Sequence, residues 1–276
     1  MSVHISLGSV PRKQFACKGE MAGAISTRYS PRENDLLAAL PREDYGRLLP
    51  DLEPVSLPAG STVHGAGEQE MYLYFPTSGV ISRFYVTESG ASVEFGITGR
   101  DGVIGIASLL GGESTLSQAV VLVQCDAYRL RVDLLKNKFQ LAHPLPRLLL
   151  RYIQALITQT GQIAVCNRHH SLEQRLCCRL LLCVDRLDSN ELTMTQELFA
   201  AMLGVRREGV TEAAGHLQKA GLICYSRGHI TVLDRSVLEA KACECYAVIK
   251  REYDRLLRPE NSIGEAGVHG AYRRYG

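Results

Sequence analysis

Residues 192 to 234 read LTMTQELFAAMLGVRREGVTEAAGHLQKAGLICYSRGHITVLD, and no other stretch restricts the fold as strongly. Leu198, Ala201, Met202 and Leu203 recur at helical spacing until Gly204 interrupts them. A second helical pattern follows. It sets Val210, Ala213, Ala214 and Leu217 on one side and Arg207, Glu208, Thr211 and Glu212 on the other. Two short helices across a glycine turn form a helix-turn-helix. Gly221 stands where the second helix should stop, because glycine adopts the left-handed cap conformation without steric cost. Residues 222–225 then read as a strand, Ser226-Arg227-Gly228 as a turn, and Ile230, Val232 and Leu233 as the returning strand. Helix, turn, helix and hairpin together make a winged helix, a motif that most often enters DNA.

Three segments within or beside this stretch resemble the Crp/Fnr superfamily of bacterial transcription regulators. They are Leu192-Thr193-Met194-Thr195-Gln196, Gly204-Val205-Arg206-Arg207-Glu208 and Gln218-Lys219-Ala220-Gly221-Leu222-Ile223. The resemblance extends over nearly the whole chain after about residue 30 and is most specific in the C-terminal part. It implies a cyclic-nucleotide-binding-like effector domain, a long dimerisation helix and a Crp-type winged helix. The implied function is regulation of transcription by a homodimer on double-stranded DNA, with RNA polymerase left open as a further partner.

Arg207, Glu208, Thr211 and Glu212 share one helix face, since residues three and four apart are neighbours there. Arginine can pair bidentately with the O6 and N7 edge of guanine, and glutamate can accept from the N4 of cytosine. By resemblance, Arg207 and Glu208 match the family's base-reading Arg-Glu positions. One turn on, well-known members place a further base-reading arginine where this chain has Glu212. The binding mode therefore carries over, but the family's commonest operator sequence does not. Thr195, Gln196, Arg206, Arg227 and His229 are candidates for phosphate contacts, which position a protein without specifying sequence.

Charge adds little to this reading. The chain's net charge is +2 over 276 residues, and between Asn167 and Leu233 eight Lys/Arg face seven Asp/Glu. Phosphate binding must come from local placement and not from a bulk basic field. A length of 276 residues suits two domains. The nine cysteines are an odd, scattered set that suits buried thiols in a reducing cytoplasm better than a disulfide framework. With no apolar run of about 18 residues, no membrane segment is expected.

Five divisions are expected: a mobile tail over 1–30, the effector domain over 31–142, the dimerisation helix over 143–166, the winged helix domain over 167–258, and a second tail over 259–276. Short helices are expected around Leu36, Leu37, Leu40 and Leu48. Strands at 72–75, 80–86, 93–97, 120–123 and 128–130 suggest a small antiparallel barrel or sandwich. The fold class is thus α+β, with a jelly-roll-like β-barrel at the N-terminal end. Pro144 and Pro146 open a long helix, where a missing N–H costs nothing. On it Leu149, Ile153, Leu156, Thr160 and Ile163 follow the 4-3-4-3 spacing of a coiled-coil seam. The same spacing also describes a helix packed on its own domain, and the family resemblance favours the dimer. A final amphipathic segment runs from Leu238 to Leu257.

By resemblance, the effector pocket should involve Gly102, Val103, Gly105, Thr115, Leu116 and Ser117. The family's cyclic-nucleotide site uses a Gly-Glu pair and, further along, an arginine that clamps the phosphate. Val103 occupies the glutamate position, and Thr115, Leu116 and Ser117 fall where the arginine would be. A phosphodiester buried without a cation is strongly disfavoured, so weak or no binding of cyclic AMP is expected and the effector is left unnamed. No cofactor or metal is expected. Cys166, His169, His170, Cys177 and Cys178 fit paired zinc spacings poorly. Cys243 and Cys245, at i and i+2, would sit far apart around a continuous helix. An iron–sulfur cluster would need closely spaced cysteines, and the N-terminal region offers only Cys17. No enzyme motif is found: neither a phosphate loop, nor G-x-S-x-G, nor H-E-x-x-H. The alternatives are a winged-helix protein–protein interaction module and a thiol-based redox sensor.

Overall fold

The structure is a computed structural model that describes residues 29–112, 114–138 (136–138 as backbone only) and 144–257. Cys17 and almost all of the two expected tails lie outside the described residues. A 3-10 turn at Pro31–Glu33 leads into α1 (Asp35–Ala38) and α2 (Arg42–Leu48). Asn34 anchors this start: its Oδ1 accepts from the N–H groups of Leu36 and Leu37, and its Nδ2 donates to the carbonyls of Pro76 and Gly102. The amide is fully buried, and its bonds satisfy it there.

Seven strands follow: β1 (Glu53–Leu57), β2 (Thr62–His64), β3 (Tyr72–Pro76), β4 (Val80–Val86), β5 (Ser92–Thr98), β6 (Gln118–Val123) and β7 (Cys125–Arg131). They make two antiparallel sheets, ordered β1-β7-β3 and β2-β6-β4-β5. Of the expected barrel or sandwich, the structure takes the open form: two antiparallel sheets that do not close into a barrel. No hydrogen-bond ladder joins one sheet to the other among the described residues; they share side chains instead. Ile81, Ala119 and Val121 of one sheet pack with Cys125 and Ala127 of the other.

After α3 (Val132–Lys138), α4 (Pro144–His169) runs for 26 residues. Its buried side chains fasten to β5. Gln159 Oε1 accepts the Ile97 N–H at 2.9 Å, Thr160 Oγ1 donates to the Phe95 carbonyl at 3.2 Å, and the Tyr152 hydroxyl is 3.0 Å from Thr98 Oγ1. These bonds engage much of the expected seam within the protomer. Leu149, Leu156 and Ile163 are buried within the protomer, and Thr160 is engaged by its own sheet. Leu150, Ile157 and Val165 face outward instead, at 51%, 66% and 44% exposure. Spacings of seven and eight residues place these three on one side of the helix.

The C-terminal part comprises α5 (Leu172–Val184), β8 (Glu191–Thr193), α6 (Gln196–Leu203), α7 (Arg207–Lys219), β9 (Ile223–Ser226), β10 (His229–Val232), α8 (Arg235–Lys241) and α9 (Glu244–Leu257). Ser171 and Gln174 form a capping box that starts α5. The strands form one sheet, β8-β10-β9. Two ion pairs tie α5 and the residues just after it to the N-terminal sheets: Arg179 to Glu94 at 3.1 Å and Arg186 to Asp101 at 2.6 Å. Burial works against the Arg179 charge, yet the adjacent Glu94 carboxylate holds its pKa above the usual arginine value. The expected amphipathic segment over 238–257 forms two helices, separated at Ala242, whose backbone is extended (φ −66°, ψ 156°). This break lets α9 turn back onto α4, where Tyr253 meets Tyr152 edge to face at 6.4 Å.

A candidate nucleic-acid interface

Helix α6 is capped by Thr195, whose Oγ1 accepts from the Leu198 N–H. It stops at Gly204, in the left-handed region with φ 62°. A β-carbon costs energy in that conformation, so glycine allows the tight turn into α7. Arg206 caps α7 through its extended backbone and makes no side-chain cap bond, which leaves N–H groups of the first turn available to an anion. Val210, Ala213, Ala214 and Leu217 of α7 are buried. Arg207, Glu208, Thr211 and Glu212 are all exposed. The four base-reading candidates thus lie together on the solvent face.

The hairpin turns through Arg227 (φ 51°) and Gly228 (φ 81°), both left-handed. Positive φ at both central residues marks a type I′ hairpin turn, and among the described residues Arg227 is the one non-glycine so held. A tight turn keeps Arg227 at the tip of the wing, on the same side as the start of α7. Between them lies a groove of about 360 Å³ lined by Thr195, Gln196, Glu197, Arg207, Tyr225, Arg227 and Gly228. Three of the five phosphate candidates therefore line one groove. Arg206 stands exposed at its α7 end, and His229 is exposed with Nδ1 3.3 Å from Thr193 Oγ1.

Arg207 is held. Its Nη1 is 2.8 Å from Glu197 Oε1, and its Nε donates to Gln196 Oε1 at 3.1 Å. Thr211 Oγ1 donates to the same Gln196 oxygen at 3.1 Å. Sequence reasoning missed Glu197 and Tyr225. Glu197 looked like an ordinary acid in a first helical turn, and its contact with Arg207 exists only once the two helices are packed. The Tyr225 hydroxyl donates to the Met194 carbonyl at 3.2 Å and so ties the wing to the start of α6.

The six expected effector-pocket residues differ widely in their surroundings. A β-carbon on Gly102 would stand 2.4 Å from the Tyr152 ring, so this glycine is needed for α4 to approach. Val103 is fully buried in the core, whereas Leu116 is 78% exposed. Gly105 has φ 97°, and a β-carbon there would lie 2.2 Å from the Tyr72 carbonyl. Thr115 and Ser117 bond to each other, 3.0 Å between hydroxyls. A pair that the sequence did not reveal lies nearby: His64 Nε2 is 3.4 Å from Glu70 Oε1, both side chains being buried. Glu70 Oε2 also accepts the Ala107 N–H at 2.8 Å, in the 3-10 turn Ile106–Ser108. Burial lowers the His64 pKa, against the opposing pull of Glu70.

Two sets of thiols stand apart from the exposed Cys224. Burial pushes Cys177 and Cys183 up to about 12, so they remain protonated at neutral pH. Cys166, His170, Cys243 and Cys245 instead gather their side-chain donor atoms within 4.8 Å of one another.

Two family models match the chain: the Crp-like helix-turn-helix domain over residues 174–241 and the cyclic nucleotide-binding domain over residues 54–141. Between them they cover more than half of its length, in the order the fold displays. The chain belongs to the Crp/Fnr superfamily. The global nitrogen regulator of Synechococcus elongatus is 24% identical over 211 residues, which span 73% of this chain and 94% of that protein. The Synechocystis regulator of the same name is 24% identical over 208 residues, 71% of this chain and 91% of the other. Among solved structures, a crp/fnr-family transcriptional regulator from Eubacterium rectale matches with TM-score 0.60 at 20% identity, covering 75% of this chain and 96% of that one. FixK2 from Bradyrhizobium japonicum matches with TM-score 0.61 at 16% identity, covering 70% and 98%. At such identities the structural likeness shows the fold. As a Crp/Fnr member the protein is a transcription regulator with a helix-turn-helix DNA-binding domain and not an enzyme. None of its described helices is long and apolar enough to cross a membrane.

Proposed function

We propose that this Crp/Fnr regulator acts as a homodimer on an inverted-repeat operator, reading bases with Arg207, Glu208, Thr211 and Glu212, and that its effector domain does not take cyclic AMP. The single observation that carries the reading is the groove between α7 and the wing, which Arg207 and Arg227 both line. A major groove about 12 Å wide admits one helix. With α7 inserted, the wing arginine would reach flanking phosphate.

The dimer rests on the outward face of α4. Leu150, Ile157 and Val165 are exposed along it, and Gly161 between them has no atom within 4 Å of where a β-carbon would sit. A two-fold dimer on this helix would set the recognition helices about 34 Å apart, matching successive major grooves.

The effector reading rests on charge. Where a ligand phosphate would need a cation, Leu116 points to solvent, and the Ala107 N–H is already taken by the Glu70 carboxylate. A second anion beside that carboxylate would meet like charge in a poorly solvated place. Calorimetric titration with cyclic AMP should give no heat of binding, and micromolar affinity or better would refute this part. Selection of bound duplexes from a random pool tests the rest. An inverted repeat should emerge, with affinity that falls steeply as salt is added. Salt-insensitive capture of a protein partner, with no DNA selected, would favour the interaction-module alternative.

A further inference from the structure

The break in the chain at Ala242 brings together four metal-ligating residues distant in sequence. Cys166 in the last turn of α4 and His170 just after it are four residues apart, and the His170 N–H donates to the Cys166 carbonyl, so the two share a face. Cys243 lies outside any helix, just before α9, and Cys245 is in the first turn of α9. In a continuous helix, thiols at i and i+2 would diverge. Here the first of them follows the extended Ala242 and precedes α9, and its sulfur and that of Cys245 both lie beside residues at the end of α4. The Cys166 and Cys243 sulfurs are 3.4 Å apart, and Cys245 Sγ is 3.6 Å from His170 Nδ1.

These distances select one ion over a cluster. Around a zinc ion, with Zn–S about 2.3 Å and Zn–N about 2.0 Å, neighbouring ligand atoms of a tetrahedron are roughly 3.5–3.8 Å apart. A four-iron cluster would hold its thiolates well beyond the 4.8 Å that bounds this set. Three soft sulfurs and one imidazole in a tetrahedral set favour zinc among common divalent ions. Cys166, Cys243 and Cys245 are buried, so the site is closed to further ligands, as structural zinc sites are.

A second observation concerns the far side of the imidazole. His170 Nε2 is 3.3 Å from Glu244 Oε1. With Nε2–H donating to that carboxylate, the Nδ1 lone pair faces the three sulfurs. This is the orientation a metal-bound histidine needs, with the carboxylate fixing the tautomer and the ring. Packing of ordinary thiols explains neither the aligned ring nor its carboxylate partner.

We propose that Cys166, His170, Cys243 and Cys245 bind one zinc ion, which fastens α9 to the end of α4 where the chain enters the DNA-binding domain. Binding releases three thiol protons and leaves His170 neutral, so zinc and three thiolates carry a net charge of −1.

The test is metal content of the full-length chain purified without chelator. One equivalent of zinc per chain is expected. Cys243→Ser and Cys245→Ser should each lose most of it, and Cys224→Ser, at an exposed thiol on β9, should keep it. Glu244→Gln leaves all four ligands in place and should weaken zinc binding by roughly ten- to a hundredfold. Cobalt added to the chelator-stripped protein should give the absorption bands of a tetrahedral thiolate complex, which report the site even where a variant is destabilised. Absence of zinc and of those bands in fully reduced protein would overturn the proposal. So would a Cys166–Cys243 disulfide as the resting state, or zinc content unchanged in both serine variants.

Discussion

Arg207 and Glu197 form an ion pair of 2.8 Å across the turn of the helix-turn-helix. The pair joins the first residue of the recognition helix to the helix before it, and both side chains are well exposed. An exposed pair contributes about 0.2–1 kcal/mol. Glu197 thus holds the arginine in place cheaply, and DNA can displace it cheaply.

Glu197→Gln should therefore raise affinity for duplex DNA by up to about fivefold, from freed arginine and one less negative charge near phosphate. The gain should appear equally on specific and unrelated sequences. Fluorescence anisotropy on both duplexes checks it, and a loss of affinity would show that Glu197 instead positions Arg207 for reading.

The exposed side of α4 gives the second expectation. Ile157 is 66% exposed in the protomer, so Ile157→Glu should leave the fold intact. Two isoleucines removed from a dimer interface, at about 1.5 kcal/mol each, weaken association by roughly a hundredfold. Sedimentation should then show monomer at micromolar concentration. The equivalent change at Leu149 should unfold the protein, since that side chain is 2% exposed.

Gly102→Ala should destabilise by about 1–3 kcal/mol, the usual cost of overpacking, because the added methyl would stand 2.4 Å from the Tyr152 ring. Urea denaturation measures it. A variant of unchanged stability would mean that α4 can shift away from this loop.

His64 supplies a pH dependence. Its pKa in the fold lies below the ordinary 6.5 because of burial. Between the folded and unfolded values the unfolded chain binds more protons, so stability falls as pH drops below about 6.5 and is fully present above it. Thermal melts of His64→Gln between pH 7 and pH 5 should show a shallower decline than the parent chain. An identical slope would place the acid sensitivity elsewhere.

Legibility in the sequence followed the range of the interactions. The winged helix could be read because its determinants are local: Gly204 and Gly221 stop the helices, and Val210, Ala213, Ala214 and Leu217 mark the buried side of α7. The α4 face could not. Leu149, Leu156 and Ile163 satisfy coiled-coil spacing and intramolecular packing equally well, and only the presence of β5 and α9 decides between them. Gly102 resembled a ligand-binding glycine, yet it is required by Tyr152, fifty residues away. Members of two cysteine groupings, weighed separately, fall into one cluster (Cys166 and His170 with Cys243 and Cys245) because Ala242 interrupts the helix on which the separation was argued.

Everything proposed for the DNA interface depends on Arg207 touching a base edge. That contact is tested most directly by titrating the selected operator, and a scrambled duplex of equal length, with the parent protein and Arg207→Ala under the same salt. The account predicts that the variant keeps its fold by circular dichroism and loses about 1–3 kcal/mol of discrimination per half-site, so that operator and scrambled duplex bind nearly alike. Operator affinity and discrimination unchanged by the substitution would contradict it.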